Sequence, residues 1–160
     1  MGRVTDRLQA MGLTLPAPRP AGQYVPAVRS GNLVFTSGAV PSGPGGMITG
    51  KVGAELDMES AQEAARLCVL NCLAAVQDLV GDLDQVRRLV KLTGFVNSSP
   101  GFSEQHRVMD GASGFLLSLF GKESGAHARS SVGAADLPLN IAVEVELVVE
   151  VEGKRSGGYQ

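Results

Sequence analysis

Tryptophan is absent from this 160-residue chain, and tyrosine and phenylalanine together make up only 4% of it. So few rings cannot supply the stacking platforms of single-strand nucleic-acid binders. Charge of one sign is lacking too: 14 Lys and Arg stand against 16 Asp and Glu, a formal net charge of −2. Such a balance recruits neither a polyanion nor an anionic membrane surface, so nucleic acid and membrane are not expected partners. Cys68 and Cys72 are the only cysteines, which excludes a disulfide framework and a four-cysteine zinc site. His106 and His127 are the only histidines, and HExxH, P-loop and Rossmann glycine patterns are all missing. No metal site is expected. No run approaches the ~18 apolar residues of a membrane span. Arg3, Asp6, Arg7 and a proline cluster also interrupt the place where a leader's apolar stretch would lie. The expectation is a soluble cytoplasmic protein.

Glycine is plentiful, 21 of 160 residues, close to twice the usual ~7%. The 44% hydrophobic and 19% charged content describes a globular chain. Size scaling gives a folded surface of roughly 7,600 Å² against about 24,000 Å² extended. That supports one sizeable core. A single domain over residues 1–160 is expected, with 1–22 as an N-terminal extension and 153–160 as a flexible tail.

Helix formers run from Val4 to Met11, and Gly12 stands where a cap would. Pro16, Pro18 and Pro20 then force an extended strap. Two short β patterns, Gln23 to Arg29 and Asn32 to Ser37, flank Ser30-Gly31 and read as a hairpin. Pro41 to Gly53 reads as a long glycine-rich loop. Asp57 offers an N-cap to a helix reaching about Val80, where Ala61, Ala65, Cys68, Cys72, Val76 and Leu79 form one stripe. A strand follows over Arg88 to Asn97, then a second helix from about Ser103 to Phe120, with Gly111 and Gly114 explained by tight packing on a sheet. Ala128 to Val132 is a short strand, and Ile141 to Val151 alternates strictly between apolar and mainly acidic faces. The order β-β-α-β-α-β-β with one apolar sheet face predicts an α+β two-layer sandwich, both long helices on the same side. Val148 and Ala142 interrupt the glutamates of the outward face, a mixture suited to a subunit interface.

Cys68 and Cys72 fall on the apolar stripe and read as core residues. His106 reads as a solvated helix residue. His127-Ala128-Arg129-Ser130-Ser131 is different, because it gathers an arginine and two hydroxyls on a short strand. A hairpin centred near Asp136 and Leu137 would set Arg129 directly opposite Glu144, within salt-bridge reach. Such a pair is either a structural ion pair or a carboxylate clamp beside a proton-transfer group.

The ordered set Tyr24-Val25-Pro26-Ala27-Val28, Gly31-Asn32-Leu33-Val34-Phe35-Thr36-Ser37-Gly38, Arg129-Ser130-Ser131-Val132 with Leu137-Pro138, and Val143-Glu144-Val145-Glu146 resembles the Rid/YjgF family. These are the reactive-intermediate (enamine/imine) deaminases, also labelled endoribonuclease L-PSP-like. The resemblance spans about residues 20 to 151, and the N-terminal extension and stretched glycine-rich loop are most similar to a longer branch. It implies a chorismate-mutase-like fold, with a mainly antiparallel mixed sheet, and a homotrimer with ligand sites in clefts between subunits. By the same resemblance, Arg129 grips the carboxylate of a small anionic substrate, Glu144 positions or activates water, and Tyr24 closes the pocket. Ser37 and Gly38 line it, and no cofactor is needed. Ser131 stands where the family often has cysteine or threonine, and Ser113 or Gly114 occupies the region of an asparagine seen in many members. The implied chemistry is hydrolysis of 2-imino or 2-enamino acids to 2-keto acids and ammonia. A non-catalytic carboxylate-binding trimer and an RNA-cleaving enzyme are the alternatives.

Overall fold

Alternation in the last strand decides the layering. A computed structural model of the protein describes residues 3–19 and 22–153. In it β7 (Val143–Val151) buries Val143, Val145, Leu147, Val149 and Val151 almost completely, while Glu144, Glu146, Val148 and Glu150 face the other way. So apolar a strand belongs in the middle of a sheet. Around it stand β1 (Ala27–Ser30), β2 (Leu33–Thr36), β5 (Val86–Asn97) and β6 (Ala128–Ala134), in the order β1-β2-β7-β5-β6. Every neighbouring pair is antiparallel except β5 and β6, which run parallel. The glycine-rich loop contains a small hairpin of its own, β3 (Ser42–Gly43) and β4 (Gly46–Met47).

Both long helices cover one face, as the α+β reading requires. In α2 (Met58–Val80), the Cys72 thiol donates to the Val145 carbonyl at 3.2 Å. In α3 (Gln105–Gly125), Met109 lies over Gly94, the residue paired with Val145 across β5 and β7. The expected boundaries hold closely: Asp57 caps α2 by accepting from the Ser60 amide at 2.8 Å, and Gly81 closes it. Gly121 breaks the regular helix of α3 with φ 84°, leaving one further turn. A short helix α1 (Arg3–Ala10) docks through Val4 and Leu8, and Asp84 accepts from the Arg3 and Val4 amides at 2.6 and 2.8 Å. The expected tail beyond Gly153, and Pro20 of the strap, lie outside the described residues.

Three expectations need correction. Leu79 leaves the buried stripe and is 43% exposed, whereas Ala64, Val69 and Leu73 join it, because α2 is covered by α3 as well as by the sheet. Gly111 is held close to α2 rather than to the sheet: a Cβ there would lie 2.4 Å from the Gln62 carbonyl oxygen. Gly114 is not packed at all. The third concerns β6. It does not fold back on β7 as a hairpin but crosses over through α3 to pair with β5 at the sheet edge. Polar Ala-Arg-Ser-Ser tolerates an edge position, and the central slot goes to the far more apolar β7.

Candidate functional site

Because β5 lies between β6 and β7, Arg129 and Glu144 are not cross-strand partners. Arg129 pairs with Leu92, and Glu144 pairs with Phe95. Leu92 is buried under the helices, so Arg129 points to the helix side, while Glu144 points to the open face of the sheet. Two strand spacings, roughly 10 Å, and the sheet itself separate the two side chains. The expected residues therefore fall into two groups.

The first group sits where β2 runs out. Ser37 donates its hydroxyl to the Val25 carbonyl at 2.7 Å and its amide to the Pro26 carbonyl at 2.8 Å, which ties Tyr24-Val25-Pro26 to the strand end. Tyr24, half exposed, shares a small hollow of about 70 Å³ with Ser37, Gly38, Asn71 and Pro18 of the strap. Glu144 lies against Gly38 so closely that a Cβ there would fall 1.9 Å from its Oε1. Any side chain at 38 would push the Glu144 carboxylate aside. Partial burial, with Glu146 nearby adding a smaller push, raises the Glu144 carboxyl above its ordinary pKa. Below this group the cysteines are core residues, as expected from the stripe. Burial pushes the Cys68 thiol well up and that of Cys72 to about 12, so neither is a nucleophile near neutrality.

The second group sits on the β6 edge. Arg129 Nη1 donates to Asp110 Oδ1 at 2.9 Å and to Ser113 Oγ at 3.1 Å, and Nη2 donates to the His106 carbonyl at 3.1 Å. Its side chain is 24% exposed. Ser131, two residues on and facing the same side, has a buried hydroxyl without a hydrogen-bond partner among the described residues. Ser113 also meets His127: its Oγ lies 2.9 Å from Nε2, and Nδ1 of the same ring is 2.7 Å from the Gly125 carbonyl. Asp110 and the linkage of Ser113 to His127 escaped sequence reasoning. Helical spacing puts Asp110 and Ser113 on one face, but nothing in the sequence aims that face at β6. Among the described residues, no group of three or more His, Cys, Asp and Glu could hold a metal ion. No helix there is long and apolar enough to cross a membrane.

Residues 14–151 match the family model of Endoribonuclease L-PSP, the family that also carries the Rid/YjgF name. The chain belongs to this family. Protein TCP17 of Trypanosoma cruzi is 49% identical, with 94% of this chain and 95% of the relative covered. A 2-iminobutanoate/2-iminopropanoate deaminase of Dermatophagoides farinae is 33% identical, covering 85% and 91%. Among solved structures, a protein of unknown function from Agrobacterium tumefaciens superposes with a TM-score of 0.86 at 45% identity, covering 94% of this chain and 93% of that one. Escherichia coli TdcF with bound serine gives 0.58 at 27% identity, covering 87% and 96%.

Proposed function

We propose that the protein hydrolyses small 2-imino and 2-enamino acids to 2-keto acids and ammonia, at clefts between the subunits of a homotrimer. The observation that carries this reading is the division of the site. Glu144 lies against Gly38, Gly38 also borders the hollow of Tyr24 and Ser37 beside α2, and Arg129 with Ser131 stands apart on the β6 edge. On this reading the first four join as one half of a cleft and the last two as the other. One chain cannot close them around a small molecule, so a second copy must bring its β6 edge to the first half. The open sheet face favours such an assembly: Phe35 pairs with Val148 and with the exposed Val28, and Phe95 pairs with Val132. Phe35 and Val132 are themselves 40% and 45% exposed, an apolar surface suited to burial between subunits.

Within the cleft each residue has a defined task. Arg129, already oriented by Asp110, Ser113 and the His106 carbonyl, receives the substrate carboxylate on its remaining N–H groups and fixes the imine carbon in place. Glu144, half-buried beside Gly38, accepts a proton from water as its oxygen attacks C2 and passes it to the substrate nitrogen, which gives the carbinolamine. The tetrahedral carbinolamine then expels ammonia as the nitrogen takes up a proton and the hydroxyl loses one, leaving the keto acid. Tyr24 and Ser37 wall the cleft. The name of the mite relative and the serine in TdcF, a small amino acid with the same carboxylate, both support a substrate of this class.

A second reading rests on Asp110. Its carboxylate already occupies one edge of the Arg129 guanidinium, as a ligand would, which favours a carboxylate-binding trimer without turnover. Imino acids generated in situ by an amino-acid oxidase separate the two. Faster release of ammonia and keto acid with the protein than without it is the expected result. Saturable binding of 2-keto acids with no acceleration would favour the binder. A stable 16.6 kDa monomer in sedimentation at micromolar concentration would overturn the inter-subunit site altogether.

A further inference from the structure

Ser113 enters the imine chemistry only by orienting Arg129, and His127 not at all, yet the two are hydrogen-bonded to each other. The Gly125 carbonyl can only accept, so Nδ1 of His127 carries the ring proton and donates to it. With Nδ1 as the ring's single N–H, Nε2 is the acceptor that faces the Ser113 hydroxyl across 2.9 Å. From the other side Arg129 Nη1 donates to the same oxygen at 3.1 Å. A base therefore faces the Ser113 proton while a permanent cation faces its lone pair, and both arrangements favour an alkoxide. The base is held in one tautomer by a third group, which completes the geometry of an activated nucleophile.

We propose that Ser113, His127 and Arg129 form a nucleophilic serine centre that cleaves small carboxylic esters. The centre opens onto a shallow depression of about 320 Å³ lined by Ser113, Leu117, Ala126, His127 and Arg129. Leu117 is 40% exposed and, with Ala126, offers an apolar wall to a short acyl chain. Gly114 leaves the neighbouring helix surface clear, since a Cβ there would meet nothing within 4 Å. In the acylation step Ser113 Oγ bonds to the ester carbon and its proton passes to His127 Nε2. The resulting imidazolium is held by the Gly125 carbonyl, and the oxyanion faces the Arg129 guanidinium. Collapse breaks the bond to the alkoxy group, which leaves as the alcohol with the His127 proton. Water then repeats the sequence on the acyl-serine, releasing the carboxylic acid and restoring the hydroxyl.

The test uses the full chain with diisopropyl fluorophosphate and with p-nitrophenyl acetate. Labelling of one equivalent per chain, mapped to Ser113 by peptide mass spectrometry, is expected, together with a p-nitrophenol burst matching the protein concentration. Ser113→Ala should lose the label, and His127→Gln should slow it by ~100-fold or more while the melting temperature stays near that of the native chain. Should His127→Gln fail to fold, labelling of the native chain decides alone. Absence of label above the Ser113→Ala background, or label spread over other serines, would overturn the proposal. The outcome is separable from the deaminase reading. A native chain that labels at Ser113 but releases no ammonia keeps this centre and sinks the other, and the reverse result does the opposite.

Discussion

Glu144 and Arg129 are brought to the protein surface by two different kinds of structure. Glu144 stands on the central strand, and its position follows from main-chain register: β7 is paired on both sides, and Gly38 presses against the carboxylate. Arg129 stands on an edge strand with one neighbour, and its direction depends on side chains and a carbonyl from α3. Backbone register resists substitution because every ladder bond shares the load. A guanidinium held by one carboxylate, one hydroxyl and one carbonyl does not have that support. The strand-borne half of the site is therefore stiff, and the helix-borne half is open to tuning by substitutions on α3.

The largest expected effect lies at the edge. Arg129→Lys and Arg129→Ala should both cut imine turnover by ~100-fold or more, because an ammonium cannot reproduce a planar fork. Steady-state assays on both variants, with melting curves, check this. Lysine restoring activity would mean that Arg129 supplies only charge, and the contrast between the two halves would collapse. Next comes Gly111→Ala, whose methyl group would meet the Gln62 main chain and should cost ~1–3 kcal/mol, read as a drop in denaturant midpoint. Gly114→Ala, on the same helix but facing open space, should instead stabilise by about 0.5–1 kcal/mol.

At the central strand, Gly38→Ala should lower imine turnover about tenfold with little change in midpoint. The added methyl displaces the movable end of Glu144 rather than main chain. A large stability loss in that variant would show that the Glu144 side chain cannot move aside. The smallest effects are in pH. Burial raises the Glu144 pKa, so the stability linked to it is present below the ordinary value of 4.5 and is lost as pH rises through the folded value. Asp84 runs the other way. The Val4 amide, and then the Arg3 amide and the Arg3 and Arg7 charges, lower its pKa, so its contribution is present above 3.8 and is lost as pH falls through the folded value. Melting temperature against pH should lose the first slope in Glu144→Gln and the second in Asp84→Asn. Each variant should leave the other's slope intact.

Much of this architecture is legible in residue order alone. Strict alternation from Ile141 to Val151 and the stripe through Cys68 and Cys72 name the two faces of the core, because burial selects side chains at the period of each element. Asp57, Gly81 and Gly121 mark helix ends for local reasons that no distant contact overrides. β5 was harder to read. Register shifts between Val86 and Arg88 and between Leu89 and Lys91 break its alternation, so it begins earlier than its apolar pattern suggests.

The candidate residues Tyr24, Ser37, Gly38, Arg129, Ser131 and Glu144 could be named from local motifs, since residue types and spacing are properties of the chain itself. Their grouping could not, because it depends on which strand lies beside which. Two strands joined by a short turn suggest a hairpin, and here the preference of β7 for the buried centre outweighed it and sent β6 to the edge. That one choice of neighbour put Arg129 and Glu144 on opposite faces and set Arg129 against Asp110 and Ser113. Local sequence reports conformation and amphipathicity, which are cheap to encode over a few residues. The pairing of distant segments is a competition for burial among all of them, and only the assembled sheet records which one won.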